Sequence, residues 1–371
     1  MNRVRGRSSV AASPDAAGFI LLTVIALLLV LVMLATAAAT IAIRVRNDQI
    51  KQDTQWQGTL DAHSTQATVL YLLGTQRLTF GGLTVDDQMH LTAFEQTEKA
   101  NGDQVFSNMP VGNELRLDNS LYAGLGQSEF ALQADSGRLS VNWSNPVVLQ
   151  NWLLSLKVPV EKQAPLFAKL MDYQDADNLY RLNGAEAEQY RAAGLPPPPN
   201  RPLATPLELR KVMDWGKALA PLDDAQLLDA TTVSRTAQIS VNTAPASLLA
   251  LLPGVTRAMA DRIVALRQMQ PIYLDSTVYE LLPTLPQEEG LVSLYPGYSG
   301  TLEVWPPGGG VGSLLHWTLT PYDDGGQPWR IDYELPLPAR ARDGRTPLRK
   351  AATPLLANPS AAHPPGAAIA A

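Results

Sequence analysis

Five carboxylates crowd one short stretch of this chain: Asp172, Asp175 and Asp177 in "DYQDAD", then Glu186 and Glu188 beyond Asn183-Gly184. Oxygen ligands at this density suit calcium, which takes about six to eight oxygens from carboxylates, carbonyls and water in a flexible geometry. The spacing is not that of a twelve-residue EF-hand loop, so a solvated acidic loop with helix-capping aspartates stands as the other reading. Paired carboxylates also serve acid–base catalysis, but no histidine, nucleophile or phosphate loop lies near these. "GYSG" is not a nucleophile elbow, and "GGGVG" lacks the lysine and following helix of a phosphate loop. The expectation is therefore a protein that is not an enzyme.

Other chemistry is bounded by composition. The 371 residues include no cysteine, which removes disulfides, thiol catalysis and zinc-thiolate sites. His63, His90, His316 and His363 are too far apart for a local two-histidine metal motif and read as surface or filler residues. The net charge of −6 becomes more negative once a leader bearing Arg3, Arg5 and Arg7 is removed, which makes the body a poor general partner for nucleic acid.

The elements that must position the acidic loop follow from periodicity. "STQATVLYLLGTQRLTF" (64–80) has helical spacing and is expected to end near Gly81-Gly82. "NELRLD" and "SEFALQAD" alternate as strands, and "ADSGRLSVNW" turns at Ser136-Gly137 into another. "PVVLQNWLLSLKV" reads as a helix, and residues 163–194 as a helix followed by the acidic loop. "LPPPPNRP" is rigid punctuation. Thr205, Pro206 and Glu208 form a helix-start signal. Residues 240–268 place a tight Pro253-Gly254-Val255 turn between two apolar-faced helices, the helix-hairpin-helix pattern. Such units often grip DNA phosphates, with Arg257 and Arg262 available here. "LLHWTLTP" and "WRIDYELPL" are strands around Asp323-Asp324-Gly325-Gly326 that could rejoin the early sheet, and the chain from Pro336 reads as a disordered tail.

From Ala16 to Ile43 there is no charged residue, a run long enough to cross a bilayer, for which roughly 20 residues suffice. Ala35, Ala37 and Ala39 offer a secretory cleavage site as one reading of it. The junction Gly18-Phe19-Ile20-Leu21-Leu22-Thr23 instead resembles the processing site of type IV prepilins and type II secretion pseudopilins. That resemblance implies a prepilin peptidase cut after Gly18 and methylation of the Phe19 amine. Ordinary members carry glutamate where this chain has Thr23, a carboxylate that can pair with the amine of the subunit ahead; a subunit with nothing ahead needs none.

The order "DSGRLSVN", "DYQDAD…NGAE…Y", "NRPLATPLELR" and "SVNTAPASLLALLPGVTRAMADRIVALR" resembles the minor pseudopilin K family of type II secretion systems. The family's "GRINLN" stands here as Gly137-Arg138-Leu139-Ser140-Val141-Asn142, and its tryptophan as Tyr173, marking a divergent member. The resemblance implies an α+β fold: a pilin-like long N-terminal helix packed on an antiparallel sheet, with a large inserted all-α domain holding a helix-hairpin-helix (SAM-like) unit. The expected parts are a leader (1–18), a transmembrane and assembly helix (19–43), a pilin-like α/β part (44–145), an inserted helical domain (146–290), C-terminal strands (291–335) and a tail (336–371).

It further implies calcium in the helical domain at the acidic loop. The implied partners are the I and J minor pseudopilins, the major pseudopilin and the prepilin peptidase, while the acidic charge of the body disfavours nucleic acid. The location would be the bacterial inner membrane, single-pass, with the body in the periplasm, and the role would be capping the pseudopilus tip. A membrane-anchored DNA receptor for uptake and a minor pilin of a surface type IV pilus are the alternatives.

Overall fold

The computed structural model describes residues 15–85, 108–286, 290–307, 310–320, 326–339 and 347–357. It divides into two units, Met1–Gln57 and Gly58–Ala371. The described part of the first unit is the N-terminal stretch of helix α1 (Asp15–Thr75). Neither glycine nor proline interrupts residues 19–57, so the backbone ladder runs unbroken. Its threonines are compatible with an apolar setting because they return their hydroxyls to the helix: Thr36 Oγ1 donates to Val32 O at 2.7 Å and Thr40 Oγ1 to Ala37 O at 2.8 Å. This helix is long and apolar enough to cross a membrane, with a window of mean hydropathy 2.9.

In the second unit the last turns of α1 meet a six-stranded sheet. The strands are β3 (Asp118–Ala123), β4 (Glu129–Ala134), β9 (Ser299–Trp305), β10 (Gly312–Leu319), β11 (Trp329–Leu337) and β12 (Arg349–Lys350), in the order β11-β10-β9-β4-β3-β12. All pairs are antiparallel except β12 with β3. Val69, Leu72 and Leu73 of the helix pack with Phe130, Leu132, Leu302, Leu315 and Trp317, the alternate residues of three adjacent strands. The opposite face buries Leu121, Ala131, Trp305, Leu314 and Leu337 with Leu228.

The C-terminal strands rejoin the early sheet because β9 lies against β4, from Glu129↔Trp305 to Ala134↔Gly300. The chain between them forms a helical body. Two short parallel pairs stand at its base, β5 (Leu139–Ser140) with β6 (Thr231–Thr232) and β7 (Ile239–Ser240) with β8 (Val292–Ser293). The body holds α2 (Pro146–Ser155), α3 (Val160–Gln174), α4 (Ala187–Ala192), α5 (Trp215–Ala218), α6 (Asp224–Ala230), α7 (Ala246–Leu249), α8 (Arg257–Met269) and α9 (Asp275–Leu281). Trp152, Leu153, Tyr190, Trp215, Leu249 and Ile263 belong to its own apolar cluster.

Five expectations differ from the structure. Helix α1 stops at Thr75, because Gly81-Gly82 closes a hairpin of β1 (Leu78–Thr79) and β2 (Gly82–Leu83) instead of ending the helix. "NELRLD" contributes only a bridge from Leu115 to Leu83, and the strand proper starts at Asp118. Thr205 makes no side-chain cap on the 3-10 segment Pro206–Lys211; Glu208 turns inward, accepting from Ala204 N at 2.8 Å and pairing with Arg201 at 3.2 Å. Strand β9 went unforeseen. The supposed tail is partly ordered, since β12 adds to the sheet edge and Leu356 is buried in the α1 core. The Asp323-Asp324-Gly325-Gly326 turn is only partly described, at Gly326, and His90 and His363 lie outside the described residues.

Candidate functional sites

Asp172 sits on the last turn of α3 with no exposure to solvent. The chain leaves the helix at Asp175, and Arg181 folds back across the loop. Its Nη1 donates to Asp172 Oδ1 at 2.7 Å and also to Asp175 Oδ2, while its backbone N–H donates to Asp172 Oδ2 at 3.1 Å. Gly184 permits this closure, because a Cβ there would lie 1.9 Å from Asp172 Oδ2. Glu186 then enters as the N-cap position of α4, its N–H held by Gln189 Oε1 at 2.9 Å.

The structure thus brings together three of the five expected ligands: oxygens of Asp172, Asp175 and Glu186 lie within 4.8 Å of one another. Asp177 is exposed outside the cluster, accepting from Leu179 N at 2.8 Å, and Glu188 is exposed on α4. One guanidinium faces three carboxylates, so negative charge remains in excess. Burial, and then the charges of Asp172, Asp175 and Asp177, push the Glu186 carboxyl up to about 6. Among the described residues, both Glu186 oxygens and Asp175 Oδ1 are buried without a hydrogen-bond donor. Unpaired hard oxygens beside surplus negative charge are what a divalent cation would satisfy.

In the hairpin, Gly254 adopts φ 73° between α7 and α8, a conformation glycine reaches without strain. Thr284 Oγ1 donates to its carbonyl at 2.7 Å, and Val255 N donates to Leu252 O at 3.1 Å. Val255 is buried among the body's apolar residues, and Pro253 precedes the turn glycine. Arg257 is paired with Asp261 at 2.9 Å, and Arg262 is exposed. Gly18, Phe19 and Thr23 all lie in the first turns of α1.

Sequence reasoning missed a buried charged cluster at the foot of the helical body. His316, read as a filler, donates from its ring between two aspartates: Nε2 lies 2.9 Å from Asp135 Oδ2 and Nδ1 2.9 Å from Asp332 Oδ2. Asp135 also accepts from Thr232 Oγ1 at 2.8 Å and Ser299 Oγ at 2.6 Å. Burial alone would push the imidazole down, but the two carboxylates outweigh it and raise it to about 9. Burial likewise opposes the Asp135 charge, yet His316 holds that carboxyl below its usual range. Asp332 reaches the ring through a bulge: His316 pairs with Tyr333 and Trp317 with Ile331, leaving Asp332 as the extra residue. The only sequence signal was Asp135 at the start of "DSGRLSVN".

Residues 119–221, from β3 through the acidic loop to Pro221, match the family described as type II secretion system protein K. Residues 234–273 match the helix-hairpin-helix motif. Among solved structures, the one described as the crystal structure of the GspK-GspI-GspJ complex from the enterotoxigenic Escherichia coli type 2 secretion system is 17% identical over 79% of this chain and 99% of the matched chain, with a TM-score of 0.40. No curated protein matches significantly. The protein K match falls on the strands and helical body that carry the acidic loop, and the hairpin match lies C-terminal to it, so over residues 119–221 the chain is similar to type II secretion system protein K.

Proposed function

We propose that this chain is a minor pseudopilin of a type II secretion system, one that caps the tip of the periplasmic pseudopilus and helps to start its assembly, without catalysis. The observation that carries the reading is the splice between neighbouring strands: β4 and β9 are hydrogen-bonded partners, yet residues 135–298 separate them. On this reading pilin-like subunits stack through their apolar helices, and the inserted helical body would bar a further subunit from adding. Thr23 supports the same place, since a subunit with no neighbour ahead has no amine to neutralise.

On this reading the prepilin peptidase cuts after Gly18 and Phe19 is methylated. The inner membrane stores the helix, with the body in the periplasm. I- and J-type minor pseudopilins are the direct partners, as named for the solved complex, and the major pseudopilin follows below. Calcium, when bound by Asp172, Asp175 and Glu186, would neutralise the carboxylates and fix the loop between α3 and α4. The DNA-receptor alternative is disfavoured by the neutralised Arg257 and the net charge of −6, and the type IV pilus alternative by the protein K match.

Gold labelling of a tag in the helical body on overproduced pseudopili tests the position. Label at one fibre end is expected, and label along the fibre length would overturn tip capping.

A further inference from the structure

Between the start of α3 and the turn after α5, the helical body opens a cavity of about 580 Å³. Val158 and Leu166 are part of its apolar floor, with Ala218 beside them. Its rim is basic in a chain that is acidic overall: Lys157, Lys162, Lys169 and Lys217 against Glu161 and Asp214. Lys169 is paired with Asp214, and Lys217 reaches the same carboxylate at 3.3 Å. Lys157 and Lys162 are exposed and carry no acidic partner among the described residues. Lys157 is held in place by its backbone, with φ 63° and its N–H bonded to Leu154 O at 2.9 Å.

An apolar recess of this volume falls in the range that holds a small ligand or a few side chains, roughly 300–1,000 Å³. Unpaired cations at its mouth select for negative charge through complementarity. We propose that this cavity docks a short acidic segment of a partner protein, one that inserts an apolar side chain over Leu166 while its carboxylates meet Lys157 and Lys162. The acidic loop lies at the other end of α3, so this is a second surface and does not need calcium.

The test is fluorescence anisotropy with the full chain held in a phosphatidylcholine nanodisc. The probe is a labelled octapeptide of alternating aspartate and leucine, and the comparison is its lysine–leucine counterpart. Saturable binding of the acidic peptide alone is expected, weakened about tenfold or more by Lys157→Glu with Lys162→Glu. Both side chains are exposed, so the fold survives, checked by an unchanged melting curve. A third variant, Glu188→Lys on the other surface, is expected to bind as the wild type does. Equal binding of both peptides, binding indifferent to the double charge reversal, or a cavity occupied by a second copy, seen as self-association lost in the same variant, would each overturn the proposal.

Discussion

His316 Nε2 and Asp135 Oδ2 lie 2.9 Å apart in the protein interior, joining strand β10 to the turn at which the chain leaves β4 for the helical body. With Asp332 on its other nitrogen, the ring needs both protons and is held as an imidazolium. Tyr333 stacks on it with centroids 4.8 Å apart, and Arg138 adds positive charge near Asp135.

Replacing His316 with asparagine leaves Asp135 buried without its counter-charge, and is expected to cost about 3 kcal/mol, as in other broken buried pairs. The pH dependence has a definite sign. The folded imidazole titrates near 9, above its unfolded value of about 6.5. Its contribution is therefore complete below about pH 6.5 and is lost as pH rises through about 9. Urea midpoints between pH 6 and 9.5 should fall for the wild type and stay level for His316→Asn; parallel profiles would contradict the imidazolium.

Calcium is expected to raise the melting temperature of the chain. Saturation at about a hundred times the dissociation constant corresponds to roughly 2.7 kcal/mol. Asp175→Ala should remove the response, and so should Gly184→Ala, whose Cβ would meet the Asp172 carboxylate. Glu188→Ala should leave it intact. The response should weaken below about pH 6, where Glu186 takes up a proton. Calorimetry without any shift in millimolar calcium would sink the metal reading.

Gly254→Ala forces a side chain into φ 73°, with Thr284 Oγ1 2.9 Å from the new Cβ. A loss of about 1–2 kcal/mol is expected, seen as a lower thermal midpoint by circular dichroism. An unchanged midpoint would mean that the turn is not held as described.

Leu356→Ala is expected to cost about 2 kcal/mol, since this residue is buried with Val69 and Phe130. No effect on the denaturation midpoint would return residues 347–357 to the status of a tail.

What the sequence disclosed was whatever depends on local pattern. The apolar helix, β4, the helix after Asn145 and the Gly254 turn each follow from periodicity or from a residue type with one conformational use. What it concealed was set by distant pairing. Strand β9 has Gly300 near its start and Glu303 in the middle, and it is a strand because β4 and β10 bind both its edges. Arg349-Lys350 is too short and too polar to read as a strand without β3 beside it. In the acidic loop, composition announced five carboxylates, but only the return of Arg181 and the bend at Gly184 decide that three converge. His316 and Asp135 are 181 positions apart, and nothing local to either predicts their meeting.

The mature N-terminus, read by mass spectrometry on protein from cells with a working secretion system, tests the assembly-helix reading most directly. A chain that begins at N-methylated Phe19 is the predicted result. A chain that begins near Thr40, cut behind Ala37 and Ala39, would have lost the helix and contradicts the pseudopilus role.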